Sequence, residues 1–269
     1  MRKKFLAAPY LIWMAIFIIV PLLIVVYFAF TTPEGQFTLG NLAQVAKYSD
    51  SLFQSLWLGL IATAICLLLG YPIAYIISKA REVSQRTMVL LIMLPMWMNF
   101  LLRTYAWMTI LETNGIINTL LSSIGLGKLN LINTQGAVVL GMVYNFLPFM
   151  IMPIYSVIVK IDHRVVEAAE DLGAGRMKVF TKVLLPLSLP GILSGITMVF
   201  VPAVSTFVIS RMLGGGSMLI GDIIEMQFLG SSYNPQMGSA LALVLMILVL
   251  LCMAVMNTVD DGEGEAIML

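Results

Sequence analysis

Residues 161–190 read IDHRVVEAAEDLGAGRMKVFTKVLLPLSLP, from Ile161 to Pro190. No other stretch of the chain is as long, as charged and as helical at once. It lies between hydrophobic runs long enough to cross a bilayer. Charged side chains and unpaired backbone groups are costly in hydrocarbon, so this insert belongs outside it, on a membrane face.

The insert divides into two helices. Asp162 is placed to cap the first, its carboxylate accepting free backbone N–H groups. His163 to Leu172 then alternate an apolar side (Val165, Val166, Ala169, Leu172) with an acidic one (Glu167, Glu170, Asp171). Ala168 and Ala169 are small enough for a partner surface to approach closely. Gly173 falls where a left-handed residue ends a helix. A second helix is expected over roughly 176–185, with Met177, Phe180, Val183 and Leu184 on one face and Lys178 and Lys182 on another. Pro186 stops or kinks it, and Pro190 prepares the next membrane segment. The pattern by itself fits either a surface helix pair packed on a membrane domain or a partner-binding element.

Composition agrees with a membrane setting. Of the 269 residues, 60% are hydrophobic and 11% charged, where soluble domains carry about 25% charged residues. The mean hydropathy is +0.98, which places the chain among multi-pass membrane proteins. The expected fold class is all-α and integral to the membrane, with six spans: about 5–30, 52–78, 87–111, 134–159, 191–209 and 238–256. Pro21 bends the first span or is re-satisfied by neighbours. The second carries small residues that permit close packing. Pro148 and Pro153 break the fourth. A short surface helix is expected near 42–48, another piece at 116–124, and a re-entrant or surface helix at 219–228. The transmembrane domain covers 1–259 with the charged loop at 160–190, and 260–269 is a short, acidic, frayed tail.

Basic residues set the orientation. Arg2, Lys3, Lys4, Lys79, Arg81, Arg86, Lys160, Arg164, Arg176, Lys178 and Lys182 fall on one side, and Lys47, Lys128 and Arg211 on the other. The positive-inside rule puts both termini and the insert in the cytoplasm. The apolar start is too long for a signal peptide and lacks a small-residue cleavage site.

Several chemistries find no support in the residues. There is no Walker A pattern, HExxH, nucleophile elbow or paired-acid arrangement, and Gly214 to Gly216 read as a turn. Cys66 and Cys252 sit in apolar segments as packing residues, and His163 has no companion ligand, so no metal site is expected. Arg103 is the costliest placement: it snorkels, pairs with an acid, or serves a gate or path. Asn99 lies one turn earlier and needs a helix partner or water. Trp97, Tyr105, Trp107 and Tyr144 are core, interface-belt or path-lining aromatics. Outside, Glu34, Asp50, Glu112, Asp222 and Glu225 face few basic residues, which favours cationic cargo. Asp222 and Glu225, three apart, are solvated loop charges or, as the first candidates among these acids, cargo contacts.

Glu167-Ala168-Ala169, three residues and Gly173, then Val183-Leu184-Leu185-Pro186, resemble the EAA loop of the membrane subunits of bacterial ABC importers. The stretches LLGYPIAYIISK (68–79), MLPMWMNFLLRTYAW (93–107) and GMVYNFLPFMIMPIYS (141–156) extend the resemblance to about 5–256 and to PotB-type permeases of spermidine/putrescine importers. The resemblance implies a MetI-like type I importer fold. It implies ATPase coupling through Glu167, Ala168, Ala169, Gly173, Leu185 and Pro186. It also implies a PotC-type second permease, two PotA-type ATPase subunits that hold ATP and Mg2+, and an external PotD-type polyamine-binding protein or lipoprotein. The chain itself would bind no cofactor and would lie in the bacterial cytoplasmic membrane. The spans share much of their pattern with permeases for iron(III), thiamine, sulfate and opine-like compounds. An ATP-independent secondary transporter and an intramembrane enzyme are the other readings, and each lacks the buried acids or paired polar groups it requires.

Overall fold

Three long helices cross at the centre of the molecule, and small residues let them do so. A computed structural model describes residues 8–230 and 232–266, with side-chain surroundings for 9–230 and 232–256. The central helices are α2 (Ser49–Lys79), α6 (Gln135–Ile158) and α9 (Leu189–Ser205). At Gly191 of α9, a Cβ would stand 2.9 Å from the Pro153 carbonyl oxygen and 3.1 Å from the Ile154 Cα of α6, so only hydrogen fits there. Small residues let backbones approach this closely when lipid supplies no hydrophobic drive. Ala62, Cys66, Met142, Met150, Ile154 and Val199 fill the resulting core.

The first helix, α1, spans Ala8–Met14, a wide turn Ala15–Ile19, and Val20–Ala29. Proline at 21 cannot donate to a carbonyl four residues back, and the wide turn just before it absorbs the mismatch. α1 packs along α12 (Pro235–Ala266), and the two meet a second cluster around Ala29, Val204, Ile220 and Leu241. The short lead-in Gly40–Val45 and Ala46–Tyr48 runs directly into α2, close to the helix expected near 42–48.

The third and fifth spans differ from their expected form. Glu82–Trp97 and Phe100–Ser123 meet at 89°, so the span expected at 87–111 is two pieces: α3 (Glu82–Met93, with one tight turn Leu94–Trp97) and α4 (Phe100–Leu111). Pro95 and an extended Met98 end the first piece, and Asn99 caps the second, its Oδ1 accepting from Leu101 N at 2.8 Å. Asn99 therefore needs no partner helix, since helix starts favour this residue. α5 (Ile116–Ser123) follows, fixed by buried Asn118, whose Nδ2 donates to the carbonyls of Glu112 and Leu129.

The fifth span ends at Ser205 rather than at 209. Thr206 is extended, and α10 (Val208–Leu213) starts a new direction before α11 (Ile220–Leu229) returns. The fourth span, by contrast, is continuous across Pro148 and Pro153. Packing on both α2 and α9 holds α6 straight enough to offset the two missing N–H donors. At the other end α12 continues to Ala266, so the acidic segment expected as a frayed tail is helical up to that residue; 267–269, and the basic start at 1–4, lie outside the described residues. Among the described residues, four helices are long and apolar enough to cross a membrane, or up to six if each bent pair is one span.

Candidate functional site: the charged loop and the outer hairpin

The charged loop folds into α7 (His163–Asp171) and α8 (Arg176–Leu187). Asp162 caps α7, accepting from Arg164 N at 3.0 Å. Gly173 has φ +81°. Ala174 N donates to the Ala169 carbonyl at 3.0 Å, and Gly173 N to that of Glu170 at 2.9 Å. This pair of bonds defines a Schellman end, and the left-handed residue within it costs glycine nothing.

The apolar side of α7 turns out to be two sides. Val166 is buried and Ala169 half-buried against Val179 and Leu184. Val165, Ala168 and Leu172 point the other way, with Leu172 90% exposed. Their spacing of three and four residues makes them one stripe. Glu167 and Asp171, four apart, are exposed beside it. In α8 Val179 and Leu184 are buried, with Phe180 and Val183 partly so, while Met177, expected on the same face, is 74% exposed. α8 widens into a π turn over Phe180–Leu184, passes Leu185 and Pro186 without stopping, and ends at Ser188. Pro186 lies in the first turn of the closing segment Leu185–Leu187, which accounts for its tolerance.

At Ser188 the chain bends by 64° into α9. Ser188 is fully buried. Its Oγ donates to the Leu185 carbonyl and lies 3.0 Å from the Tyr71 hydroxyl, which therefore acts as donor. Phe180 meets the Tyr71 ring edge-on, centroids 5.5 Å apart. Tyr71 thus ties α2 to α8 and to the bend itself. Nothing in the spacing of the LLGYPIAYIISK stretch identifies this role.

A second polar cluster occupies the hairpin between α10 and α11. Asp222, expected as an open charge, is 3% exposed. Its Oδ2 accepts from Ser210 Oγ at 2.5 Å and from Leu219 N at 3.0 Å. The next N–H, of Ile220, donates to Ser55 Oγ of α2 at 2.8 Å. Gly221 presses on the end of α9, where a Cβ would lie 2.6 Å from the carbonyl oxygens of Ser205 and Thr206. Asp222 therefore acts here as a helix cap in a buried joint. Arg211 bridges to the other acid: its Nη1 lies 3.3 Å from Glu225 Oε1, its Nη2 bonds Oε2, and its Nε lies 3.8 Å from Asp222 Oδ1. Burial pushes the Asp222 carboxyl up, with Ser210 and Leu219 opposing; the Arg211 hydrogen bond holds Glu225 down. The charge balance expected for that side changes accordingly, because the two acids read as open are engaged by Arg211. The spacing carried one signal of this: Ser210-Arg211 and Asp222/Glu225 flank a triple-glycine turn, as hairpin partners do.

The remaining candidates fall on two sides of α4. Trp97, Asn99 and Tyr105 are exposed at and beyond the break, Trp97 at 78%. Arg103 faces inward, 7% exposed, its Nε and Nη1 without hydrogen-bond partners and its guanidinium 5.9 Å from the Phe100 ring centroid. One turn on, Trp107 packs edge-on against Tyr144 of α6 at 5.3 Å. α4 also packs against α10, the helix that carries Ser210 and Arg211 of the Asp222 cluster. Cys66 is buried with Sγ 3.8 Å from the Val143 carbonyl, as a packing residue would be.

The loop presents an exposed apolar stripe and leads into a bent span of an all-helical membrane domain. The chain belongs to the family described as binding-protein-dependent transport system inner membrane component, which matches residues 67–261. It is 38% identical over 260 residues to the spermidine/putrescine transport system permease protein PotB of Haemophilus influenzae, covering 93% of this chain and 91% of that one. It is 36% identical over 246 residues to the protein of the same name from Escherichia coli K12, covering 87% and 89%. Among solved structures, a subunit of a bacterial alginate ABC transporter superposes with a TM-score of 0.77 at 19% identity, covering 97% and 96%. The MetNI methionine transporter gives 0.61 at 18%, covering 80% and 95%. These two likenesses bear on the fold alone, which is the MetI-like permease fold expected. The chain is thus a multi-pass membrane permease subunit of an ABC transport system, a transport component and not an enzyme. Family membership sets aside the secondary transporter and the intramembrane enzyme.

Proposed function

We propose that this subunit forms half of the translocation path of an importer for polyamines. A second permease would complete the path, two ATPase subunits would hold ATP and Mg2+, and an external binding protein would deliver the cargo. The termini and the charged loop lie in the cytoplasm, where the basic residues concentrate. The observation that carries the coupling is the stripe Val165, Ala168 and Leu172 on α7, apolar, exposed and flanked by Glu167 and Asp171. A solvated loop gains nothing from a leucine left 90% exposed; a cleft in an ATPase would cover it. Movement of α7 passes to α9 through α8, the Ser188 bend and the Tyr71 contact, so closing the ATPase pair re-angles a central helix.

The cargo reading is supported by relatives named for spermidine and putrescine at 36–38% identity over most of their length. Trp97, Asn99, Tyr105 and Tyr144 are the residues proposed to face the path, with Arg103 set back from it on the inward side of α4. Asp222 and Glu225 stay as outer cargo candidates only in a state where Arg211 releases them. The test is uptake of labelled spermidine and putrescine into proteoliposomes holding this chain with the permease and ATPase encoded beside it and loaded binding protein outside. ATP-dependent uptake of either supports the reading. ATPase stimulated by another solute, with no polyamine uptake, would discard the cargo and keep the permease.

A further inference from the structure

We propose that the cleft under the charged loop binds the phosphate headgroup of an anionic phospholipid. The cleft, about 510 Å³, lies between the end of α2, the inner side of α7 and the start of α8. This is within the usual range of ligand pockets, roughly 300–1,000 Å³. Lys79, His163 and Arg176 supply its nitrogen donors; Val166, Phe180 and Leu184 supply an apolar floor. Glu170 is the one acid on its wall. A side chamber of about 230 Å³ shares Lys79, His163 and Val166 and adds the Ser78 side.

Two permanent cations face one acid here, and among the described residues neither Lys79 nor Arg176 is in an ion pair. Lys79 is the last residue of α2, a helix otherwise apolar enough to span the bilayer, so the cleft lies at the level of the headgroups. Its Nζ stands 5.8 Å from the Tyr75 ring centroid, an attraction that holds the ammonium beside the cleft. A guanidinium fork and an ammonium facing an apolar floor match a phosphodiester followed by glycerol and acyl chains. Basic pockets at cytoplasmic helix ends take such headgroups. The site lies on the side of α7 opposite the Val165–Leu172 stripe, so an occupant braces α7 without covering its docking face. The placement at the inner leaflet rests on the orientation proposed above; the readout below needs no cargo.

The experiment is native mass spectrometry of the assembled importer carrying phosphatidylglycerol or phosphatidylcholine. The wild type is expected to retain phosphatidylglycerol preferentially. Lys79→Gln with Arg176→Gln should cut that retention roughly thirtyfold, two headgroup cations being lost, with phosphatidylcholine unchanged; Lys79→Arg with Arg176→Lys should restore it. Either single glutamine variant, expected to lose about fivefold, stands in if the double variant does not assemble. Equal phosphatidylglycerol retention in assembled variants and wild type overturns the site. Displacement of the lipid by inorganic phosphate alone would make the ligand a soluble anion and overturn the lipid. Retention by the permease pair measured without the ATPase, but none by the assembled importer, would assign the cleft to a protein acid and overturn the lipid.

Discussion

Gly173 is where a single residue matters most to the charged loop. Its φ of +81° closes α7, and nothing lies within 4 Å of where a Cβ would stand. The cost of a side chain is therefore backbone strain alone, about 1–2 kcal/mol for alanine. Gly173→Ala should weaken co-purification of the ATPase while leaving membrane insertion unchanged, which pull-down from solubilised membranes checks. Asp222 behaves differently. Alanine there strands Leu219 N–H and Ser210 in a buried joint, at roughly 1–3 kcal/mol, so Asp222→Ala should lower the thermal stability of the purified complex. Asparagine, which keeps an acceptor, should lower it less. If both variants melt with the wild type, Asp222 is not the cap that its geometry indicates. The two acids also titrate with opposite sign. Glu225, held below its ordinary range, contributes stability above its unfolded pKa that is lost as pH falls through its folded one. Asp222, pushed up, favours the fold more as pH falls through its raised value. Glu225→Gln should therefore remove the acid-side loss and leave the Asp222 gain, seen as a melting temperature that falls less, or rises, on acidification relative to wild type.

At the scale of elements, helices with a repeating pattern were legible and breaks were not. α6 lies within one residue of the expected limits, and Asp162 and Gly173 cap α7 as their types and positions indicated. Apolarity shows where a chain can cross lipid, which is why 87–111 read as one span. The 89° turn at Pro95–Asn99 depends on what the two halves pack against, and a hydropathy run carries no record of that. The prolines illustrate the same point. Pro95 ends a helix, while Pro148 and Pro153 sit inside one because α2 and α9 flank it. The split of the α7 valines, Val166 inward and Val165 outward, was hidden because adjacent positions both qualify as apolar. The outer hairpin was hidden for another reason: burial of Asp222 relies on Ser55, 167 residues earlier, as neighbour to the same helix start. Gly221→Val tests that joint. Its side chain must displace α11 from Ser205 and Thr206, so the variant should expose residues of α11 to a water-soluble thiol reagent after cysteine placement at Gln227, which is buried in the native chain.

The whole molecule is one part of a larger machine, and its surface carries the marks of that. No residue in the apolar window of α1 is buried within the chain, so lipid or the second permease must cover it. In the coupling proposed above, the connection runs from the α7 stripe through α8 and the Tyr71–Ser188 contact to α9 and, by Gly221, to the hairpin of α10 and α11. Coupling of this kind requires that α7 hold different contacts in two global states. Its direct test is to measure uptake and ATP hydrolysis together in proteoliposomes carrying the full importer with Leu172→Asp, a change confined to the exposed stripe. The account predicts an inserted complex that has lost ATP-driven uptake of polyamine, at least tenfold for one buried leucine contact replaced by a charge. Uptake and hydrolysis both at wild-type level would contradict it.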